Sequence, residues 1–225
     1  MSRGIISIYW GDEEKLPINR LKSSVKKFHP DLPHEIIRLD APGDNTSSLN
    51  KKAEMMGLSP FDETLYLDID TVVMGNLSFG YEKAKQFGLA LSICESPYGR
   101  RYPYLFQGDE IEYNTGVIFF TKKSAVVFNE WKKLANTVDS LLVGVADQGV
   151  YKMQANDQGS FALAIENTGF NPFILPLNWN YRPIWMRSFF GPIKIWHDYS
   201  DPPPILEEIA DYYKRKDSII QYHSF

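Results

Sequence analysis

The sequence predicts an α/β protein with a mainly parallel central sheet flanked by helices. Apolar runs suited to buried strands alternate with segments whose apolar residues recur at helical spacing. The first unit, within residues 5–39, reads strand, helix, strand, which is the order of a parallel crossover. Because 44% of the 225 residues are hydrophobic, one substantial core is possible, and we expect a single domain over residues 1–225.

The N-terminal unit carries the clearest periodicity. Residues 5–10 read as a strand, and Pro17 then opens a helix. The apolar residues of that helix recur on one face at Ile18, Leu21, Val25 and Phe28. Residues 35–39 read as the second strand, which completes the crossover.

Later segments extend the same alternation. We expect further helices over residues 49–56, 81–87, 122–135 and 146–153, and further strands over 65–69, 89–93, 117–120, 161–165, 173–175 and 193–196. After the triple proline at 202–204, an amphipathic helix is expected over about 205–216. Residues 96–113 read as a long loop, a kind of segment that often covers or lines a binding site.

Composition excludes several classes of function. The net charge is −4 and no basic block occurs, so nucleic acid is not an expected partner. The single cysteine, Cys94, excludes an internal disulfide framework and a cysteine zinc cluster. No apolar run suits a signal sequence or a membrane span, so a cytoplasmic protein without a transmembrane segment is expected.

Asp68 and Asp70 are the most informative pair in the chain because they follow an apolar run. Carboxylates are rarely buried without a partner, and a divalent cation with oxygen ligands would supply one. Residues at i and i+2 share one face of a strand, so both carboxylates can converge on one ion. For either aspartate alone, a turn former or a helix cap is the alternative.

A phosphatase is a second alternative, in which Asp68 would be the nucleophile of an Asp-x-Asp-x-Thr motif. Here the threonine is Thr71, one position too early, and Val72 occupies the motif's threonine position. That motif also belongs on the first strand of its domain, whereas Asp68 lies well inside this chain. Metal binding is therefore preferred.

Three other segments carry polar residues that are ambiguous alone. Asp147-Gln148 reads as a helix start, where an acid interacts with the helix dipole. His197 ends an apolar strand, where a hydrogen-bonded core histidine is the usual finding. Asn114-Thr115-Gly116, before a buried strand, is also compatible with simple turn chemistry.

Taken together in their order along the chain, however, these segments resemble the motifs of a glycosyltransferase of the GT-A type. The resemblance covers residues 1 to about 204 and is strongest to glycosyltransferase family 8, the glycogenin and lipopolysaccharide galactosyltransferase group. The matching segments are Tyr66-Leu67-Asp68-Ile69-Asp70-Thr71-Val72-Val73 for the Asp-x-Asp motif, Tyr113-Asn114-Thr115-Gly116-Val117 for Phe-Asn-x-Gly-Val, Asp147-Gln148 for the start of Asp-Gln-Asp, residues 175–181 for Leu-Pro-x-x-Tyr-Asn-Tyr, and His197 for the late metal-binding histidine.

This resemblance implies a hexosyltransferase that moves a sugar from a nucleoside diphosphate donor, UDP in the first instance, to an acceptor hydroxyl with retention. Asp68, Asp70 and His197 would hold Mn²⁺ or Mg²⁺, and Gln148 and Asp147 would lie at the reacting sugar. The donor would be bound by Ser7, Ile8, Tyr9, Asp12, Lys52, Asp68, Ile69, Asp70, Asn114, Thr115, Gly116, Asp147, Gln148 and His197. Lys51 is the alternative to Lys52 for the family's basic residue that reaches the donor. The acceptor would be a glycan, a lipid-linked molecule or a protein. A mobile loop at Arg100-Arg101-Tyr102-Pro103-Tyr104 would cover the site, and Trp179, Tyr181 and Trp185 would form the acceptor face.

Two departures from the family pattern motivate a rival hypothesis. Gly149 replaces the second aspartate of Asp-Gln-Asp, and residues 198–204 lack the lysine that meets the diphosphate, for which Lys194 or Arg182 would have to substitute. The rival is a protein that binds a nucleotide sugar but has little or no turnover.

Overall fold

The computed structural model describes residues 2–40, 51–95, 97, 99, 101–102, 104, 109–135, 137–138, 143–146, 149–152, 157–215 and 221–223. The strands are β1 (Arg3–Tyr9), β2 (His34–Arg38), β3 (Glu63–Leu67), β4 (Thr71–Val73), β5 (Leu89–Ile93), β6 (Tyr113–Thr121), β7 (Val143–Ala146), β8 (Gly149–Lys152), β9 (Phe173–Ile174), β10 (Ser188–Phe190), β11 (Ile195–His197) and β12 (Gln221–His223). The α-helices are α1 (Ile18–Phe28), α2 (Met55–Leu58), α3 (Ser78–Phe87), α4 (Ala125–Leu134), α5 (Asp157–Thr168) and α6 (Ile205–Arg215).

Six strands form the central sheet in the order β2-β1-β3-β6-β5-β9. All of them run in one direction except β6, which is antiparallel to both of its neighbours. The carboxyl ends of β1 and β3 therefore lie at the same edge as the amino end of β6. Three two-stranded sheets, β4 with β11, β7 with β8, and β10 with β12, accompany it.

Helices cover both faces of the sheet, as the α/β prediction requires. On β1, Ile6 and Ile8 face the core under α4 and α5, while Ile5 faces the core under α1 and α3. This alternation follows from the two-residue period of a strand. A third, smaller core lies between β4, β11 and α6.

The strand–helix–strand unit at the N-terminus and the α/β class are confirmed, but two predicted elements are wrong. Residues 161–165, expected as a strand, lie within α5, and the helix expected over 146–153 is replaced by strand residues of β7 and β8. Helix α5 is buried on nearly every side from Asp157 to Ile165, so its sequence lacks the polar face that reveals a helix. Asn114, Thr115 and Gly116, expected before a strand, lie inside β6.

The terminal helix is present as α6, and the last residue of its predicted range, Lys216, lies outside the described residues. Among the described residues, none of the helices combines the length and the apolar character needed to cross a membrane.

Candidate functional site

Three of the predicted ligand residues converge at the edge where β3 ends. Asp68 follows β3, Asp70 closes the turn before β4, and the antiparallel pairing of β11 with β4 places His197 opposite Thr71. The Nε2 atom of His197 lies 3.4 Å from Oδ1 of Asp70 and 3.8 Å from Oδ2 of Asp68. One ligand atom from each residue falls within 4.8 Å of the others, a spacing that one metal ion can bridge.

The chemistry of these side chains fits a divalent cation such as Mn²⁺ or Mg²⁺. Two carboxylates and one imidazole combine the oxygen ligands that such ions prefer with a nitrogen that Mn²⁺ accepts. The side chains are only 9–20% exposed. Burial alone would raise the pKa of Asp70, but the hydrogen bond and charge of His197 in its protonated form, with the charge of Lys52, hold it below its ordinary value. Asp70 is thus kept in the ionised form that binds a metal.

Lys52 lies beneath this cluster and balances its negative charge. Its buried Nζ atom is 2.8 Å from both carboxylate oxygens of Asp68, and the hydroxyl of Tyr66 donates a 2.6 Å hydrogen bond to the same carboxylate. Burial would lower the pKa of Lys52, but the charges of Asp157 and Asp68 outweigh it and raise that pKa above its ordinary value. The ammonium is therefore charged.

Asp157, the first residue of α5, contacts the site although neither it nor the following Gln158 was among the predicted residues. Oδ2 of Asp157 is 3.5 Å from Nζ of Lys52 and accepts a 2.5 Å hydrogen bond from the hydroxyl of Thr115. The side-chain amide of Gln158 donates to Sγ of Cys94 at 3.4 Å. Both residues are buried. A carboxylate at a helix N-terminus is favoured by the helix dipole, so this position also suits Asp157 structurally.

Position 116 requires a glycine because the side chains of His197 and Asp68 lie against its Cα atom. A Cβ atom on Gly116 would overlap Cε1 of His197 and lie 2.8 Å from Oδ2 of Asp68. The main chain also joins them, because the amide of Asp68 donates to the carbonyl of Gly116 at 2.8 Å. The glycine in Asn114-Thr115-Gly116 thus makes room for the histidine and the aspartate.

Comparison with solved structures identifies the fold. Mouse xyloside xylosyltransferase 1, in its apo form, superposes with a TM-score of 0.56 at 13% identity, covering 90% of this chain and 99% of that one. A glycosyltransferase involved in glycosylation of the major capsid of PBCV-1 gives 0.58 at 14% identity, covering 95% and 100%. The galactosyltransferase LgtC, in complex with donor and acceptor sugar analogs, gives 0.50 at 16% identity, covering 93% and 95%. The chain has the GT-A fold.

No protein-family model matches the sequence, and no curated protein sequence matches it either. The likeness to glycosyltransferases is therefore carried by the GT-A fold.

The carboxyl end of β1 lies at the same sheet edge as Asp68. The polar side chains predicted there to bind the donor contact neighbouring protein residues. The hydroxyl of Ser7 is 3.0 Å from Nε2 of His34, and the hydroxyl of Tyr9 donates to Glu13 at 3.0 Å. Ile8 is buried in the core, and Asp12 caps the short 3₁₀ turn that follows β1.

Asp147 and Gln148 lie outside the described residues. The helix expected to begin there is absent from the adjoining residues, because Ala146 ends β7 and Gly149 begins β8. The tripeptide Asp-Gln-Gly occurs twice, at 147–149 and at 157–159. The second copy forms the first three residues of α5, and the repeat of the tripeptide is the sequence signal that could have identified it.

The predicted acceptor face is wrong for two of its three residues. Trp179 and Tyr181 are buried in two of the hydrophobic cores, and only Trp185, 52% exposed, faces solvent. Tyr181 also donates to the carbonyl of Met186 at 2.8 Å, which fixes its ring inward.

The described part of the predicted covering loop is anchored to α5. Arg101 forms ion pairs with Glu166 at 3.0 Å and Glu112 at 3.6 Å, and the hydroxyl of Tyr102 donates to Glu166 at 2.6 Å. Arg100 and Pro103 lie outside the described residues.

Arg182 and Lys194, the two proposed substitutes for the family's lysine, contact or line parts of the protein other than the cluster of Asp68, Asp70 and His197. Arg182 forms a 3.0 Å ion pair with Glu95. Lys194 lines a cavity of about 790 Å³ between α1, β4 and α6, and burial lowers its pKa.

Arg20, on α1, fastens together the two segments that carry the metal-binding side chains. Its guanidinium donates to the carbonyl of Asp70 at 3.2 Å, to that of Asp198 at 2.5 Å and to that of Tyr199 at 2.6 Å. Nothing in the sequence distinguishes Arg20 from an exposed helix residue, so it was not predicted.

Proposed function

We propose that this protein is a metal-dependent glycosyltransferase that transfers a sugar from a nucleoside diphosphate donor to an acceptor hydroxyl. The convergence of Asp68, Asp70 and His197 at one sheet edge of a GT-A fold carries this proposal. The complex of LgtC with donor and acceptor sugar analogs supports it, because that protein shares the fold. We further propose a UDP-linked donor and retention of anomeric configuration.

Asp68, Asp70 and His197 would hold Mn²⁺ or Mg²⁺. When bound, such an ion neutralises the negative charge that develops on a departing diphosphate. Lys52 keeps the carboxylate of Asp68 in place through its 2.8 Å contacts, and its charge offsets the repulsion between Asp68 and Asp157. The acidic cluster is therefore prepared for an ion before any ligand arrives.

Asp157 and Gln158 take the roles expected of Asp147 and Gln148 in this proposal. Lys52 and Thr115 orient the carboxylate of Asp157 beside Asp68, where it can accept hydrogen bonds from the hydroxyl groups of the donor sugar. Gln158 follows on the same helical turn and would lie near the anomeric carbon. Tyr9 and Asp12, after β1, would flank the nucleotide base and ribose.

The test is the release of UDP from a panel of UDP-sugars in Mn²⁺, with and without a mixture of hydroxyl acceptors. Asp157→Asn should reduce turnover by about 100-fold or more, as expected when a group in the reacting site is changed. Asp147→Asn is the matched control and should retain wild-type turnover. The reverse result would return the catalytic roles to Asp147 and Gln148.

Two further measurements, donor binding and phosphate release, separate the two rival functions. Donor binding with neither hydrolysis nor transfer would favour the binding protein, for which Gly149 and the absence of lysine from residues 198–204 are the motivating observations. Phosphate release from a simple aryl phosphate, lost in Asp68→Asn, would favour the phosphatase.

A further inference from the structure

We infer that Asn180 is a positioning residue that fixes which ring nitrogen of His197 carries the proton. This inference rests on the metal site of the proposed function. Nδ1 of His197 lies 2.8 Å from Oδ1 of Asn180, while Nε2 faces the carboxylates of Asp70 and Asp68 at 3.4 and 3.8 Å. A neutral imidazole has one donor and one acceptor nitrogen. The nitrogen that meets the amide oxygen must be the donor.

The orientation of the Asn180 amide is set by a chain of hydrogen bonds that begins at the main chain. The backbone N–H of Gly116 can only donate, and it donates to Oδ1 of Asn114 at 2.9 Å. That same oxygen accepts from Nδ2 of Asn180 at 2.8 Å. If the Asn180 amide were flipped, two amide oxygens would face each other. Its oxygen is therefore directed at His197.

Because the two asparagines are buried, their hydrogen bonds have one favoured arrangement. Asn180 is 1% exposed and Asn114 is 4% exposed, so water does not compete for their polar atoms. An unpaired amide group at such a position costs about 1–3 kcal/mol, which disfavours any arrangement that breaks the chain.

The consequence concerns the direction of the lone pair on Nε2. Without an acceptor at Nδ1, the nearby carboxylates of Asp70 and Asp68 would favour a proton on Nε2, which would block metal binding by that atom. Asn180 holds the proton at Nδ1, so Nε2 presents its lone pair to the metal site. Metal-binding histidines commonly donate their other ring N–H to an oxygen in this way.

The experiment is a two-dimensional ¹H–¹⁵N spectrum of the histidine rings in metal-free protein at about pH 9, well above the ordinary histidine pKa of about 6.5. His197→Gln assigns the signals. The wild type should show His197 protonated at Nδ1, and Asn180→Ala should move the proton to Nε2. Asn180→Asp keeps an oxygen at Nδ1, although its second oxygen then faces Oδ1 of Asn114 in place of the amide donor, and should give the same His197 tautomer as wild type.

Asn178→Ala is the matched control, since Asn178 is also buried and its side chain donates only to the carbonyl of Pro192 among the hydrogen bonds described. It should leave the His197 spectrum unchanged. A wild-type His197 protonated at Nε2, or an Asn180→Ala spectrum identical to wild type, would overturn the inference. Should Asn180→Ala fail to fold, the wild-type and Asn180→Asp spectra still decide it.

Mn²⁺ titration of the same proteins separates this inference from the proposed function. Asn180→Ala should bind Mn²⁺ about 10–100-fold more weakly than wild type, as loss of such a hydrogen-bond partner does elsewhere, while Asn178→Ala should match wild type. A wild type that binds no Mn²⁺ would overturn the metal site itself. Wild-type affinity in folded Asn180→Ala would overturn only the positioning role.

Discussion

Nζ of Lys52 lies 3.5 Å from the carboxylate of Asp157, a contact that joins the 3₁₀ turn before α2 to the first residue of α5. The same ammonium contacts Asp68 at 2.8 Å, so one buried cation links two carboxylates from distant parts of the chain. The two acids are held in the candidate site by a charge from within the protein.

Replacing Lys52 with methionine should leave Asp68 and Asp157 buried without their cation. Removing one member of a buried ion pair typically destabilises a protein by about 3–5 kcal/mol, and we expect a loss of this order in urea denaturation. Lys51→Met is the control, because Lys51 is exposed and contacts only Glu54 among its described ion pairs. Equal stability of the two variants would contradict this account of the charge balance.

A methyl group on Gly116 should disturb the metal site directly. Because the new Cβ would overlap the ring of His197 and crowd Asp68, one of these side chains must move. Overpacking of this kind costs about 1–3 kcal/mol, and we also expect Gly116→Ala to weaken Mn²⁺ binding in calorimetric titration. At Gly57 the nearest atom to a new Cβ is the flexible end of Lys132 at 3.8 Å, so Gly57→Ala should keep wild-type Mn²⁺ affinity.

Loss of the Arg20 guanidinium should loosen the segment that follows His197. Arg20→Met removes the donors that bind the carbonyls of Asp70, Asp198 and Tyr199, so amides in that segment should exchange hydrogen faster. Hydrogen exchange read by mass spectrometry would measure this. Lys22→Met, at an exposed position of the same helix, should leave the exchange of residues 198–201 unchanged.

His34 should make stability depend on pH. Burial, and to a smaller extent the charge of Lys22, lowers the pKa of His34 from 6.5 to about 4. The unfolded state therefore takes up a proton at higher pH than the folded state, and stability should fall as the pH drops from about 6.5 to about 4. The full effect would be about 3 kcal/mol at 1.36 kcal/mol per unit.

Urea denaturation over this pH range measures the effect. His34→Gln should flatten the pH dependence, whereas substitution of the exposed His223 should not. An unchanged slope in His34→Gln would show that His34 is not responsible.

The part of the site that could be predicted is the part that local sequence encodes. Asp68 and Asp70 follow an apolar strand and His197 ends another. Polar side chains at the ends of buried strands need a partner, and this pattern predicts them as site residues. The α/β class followed in the same way from the strand–helix–strand unit around α1.

The rest depends on contacts between distant residues. Helix α5 is enclosed on nearly all sides, so its apolar residues show no helical periodicity and its residues 161–165 are predicted as a strand. As a result, Asp157 was not placed at a helix N-terminus. The environments of Lys52 and Trp179 also depend on tertiary packing, because the sequence does not show whether a lysine or a tryptophan faces a site or a core.

The most direct test of the central claim is the thermal stability of the protein with UDP, in Mn²⁺ and in chelator. A ligand that binds only the folded state raises stability with the logarithm of its concentration. We predict a rise in melting temperature that requires both UDP and Mn²⁺, is lost in Asp70→Asn and is kept in Asp62→Asn, at an exposed aspartate bonded to Ser2. If UDP stabilises the protein equally in chelator, or if folded wild type responds to no nucleoside diphosphate, the metal-dependent donor site is contradicted.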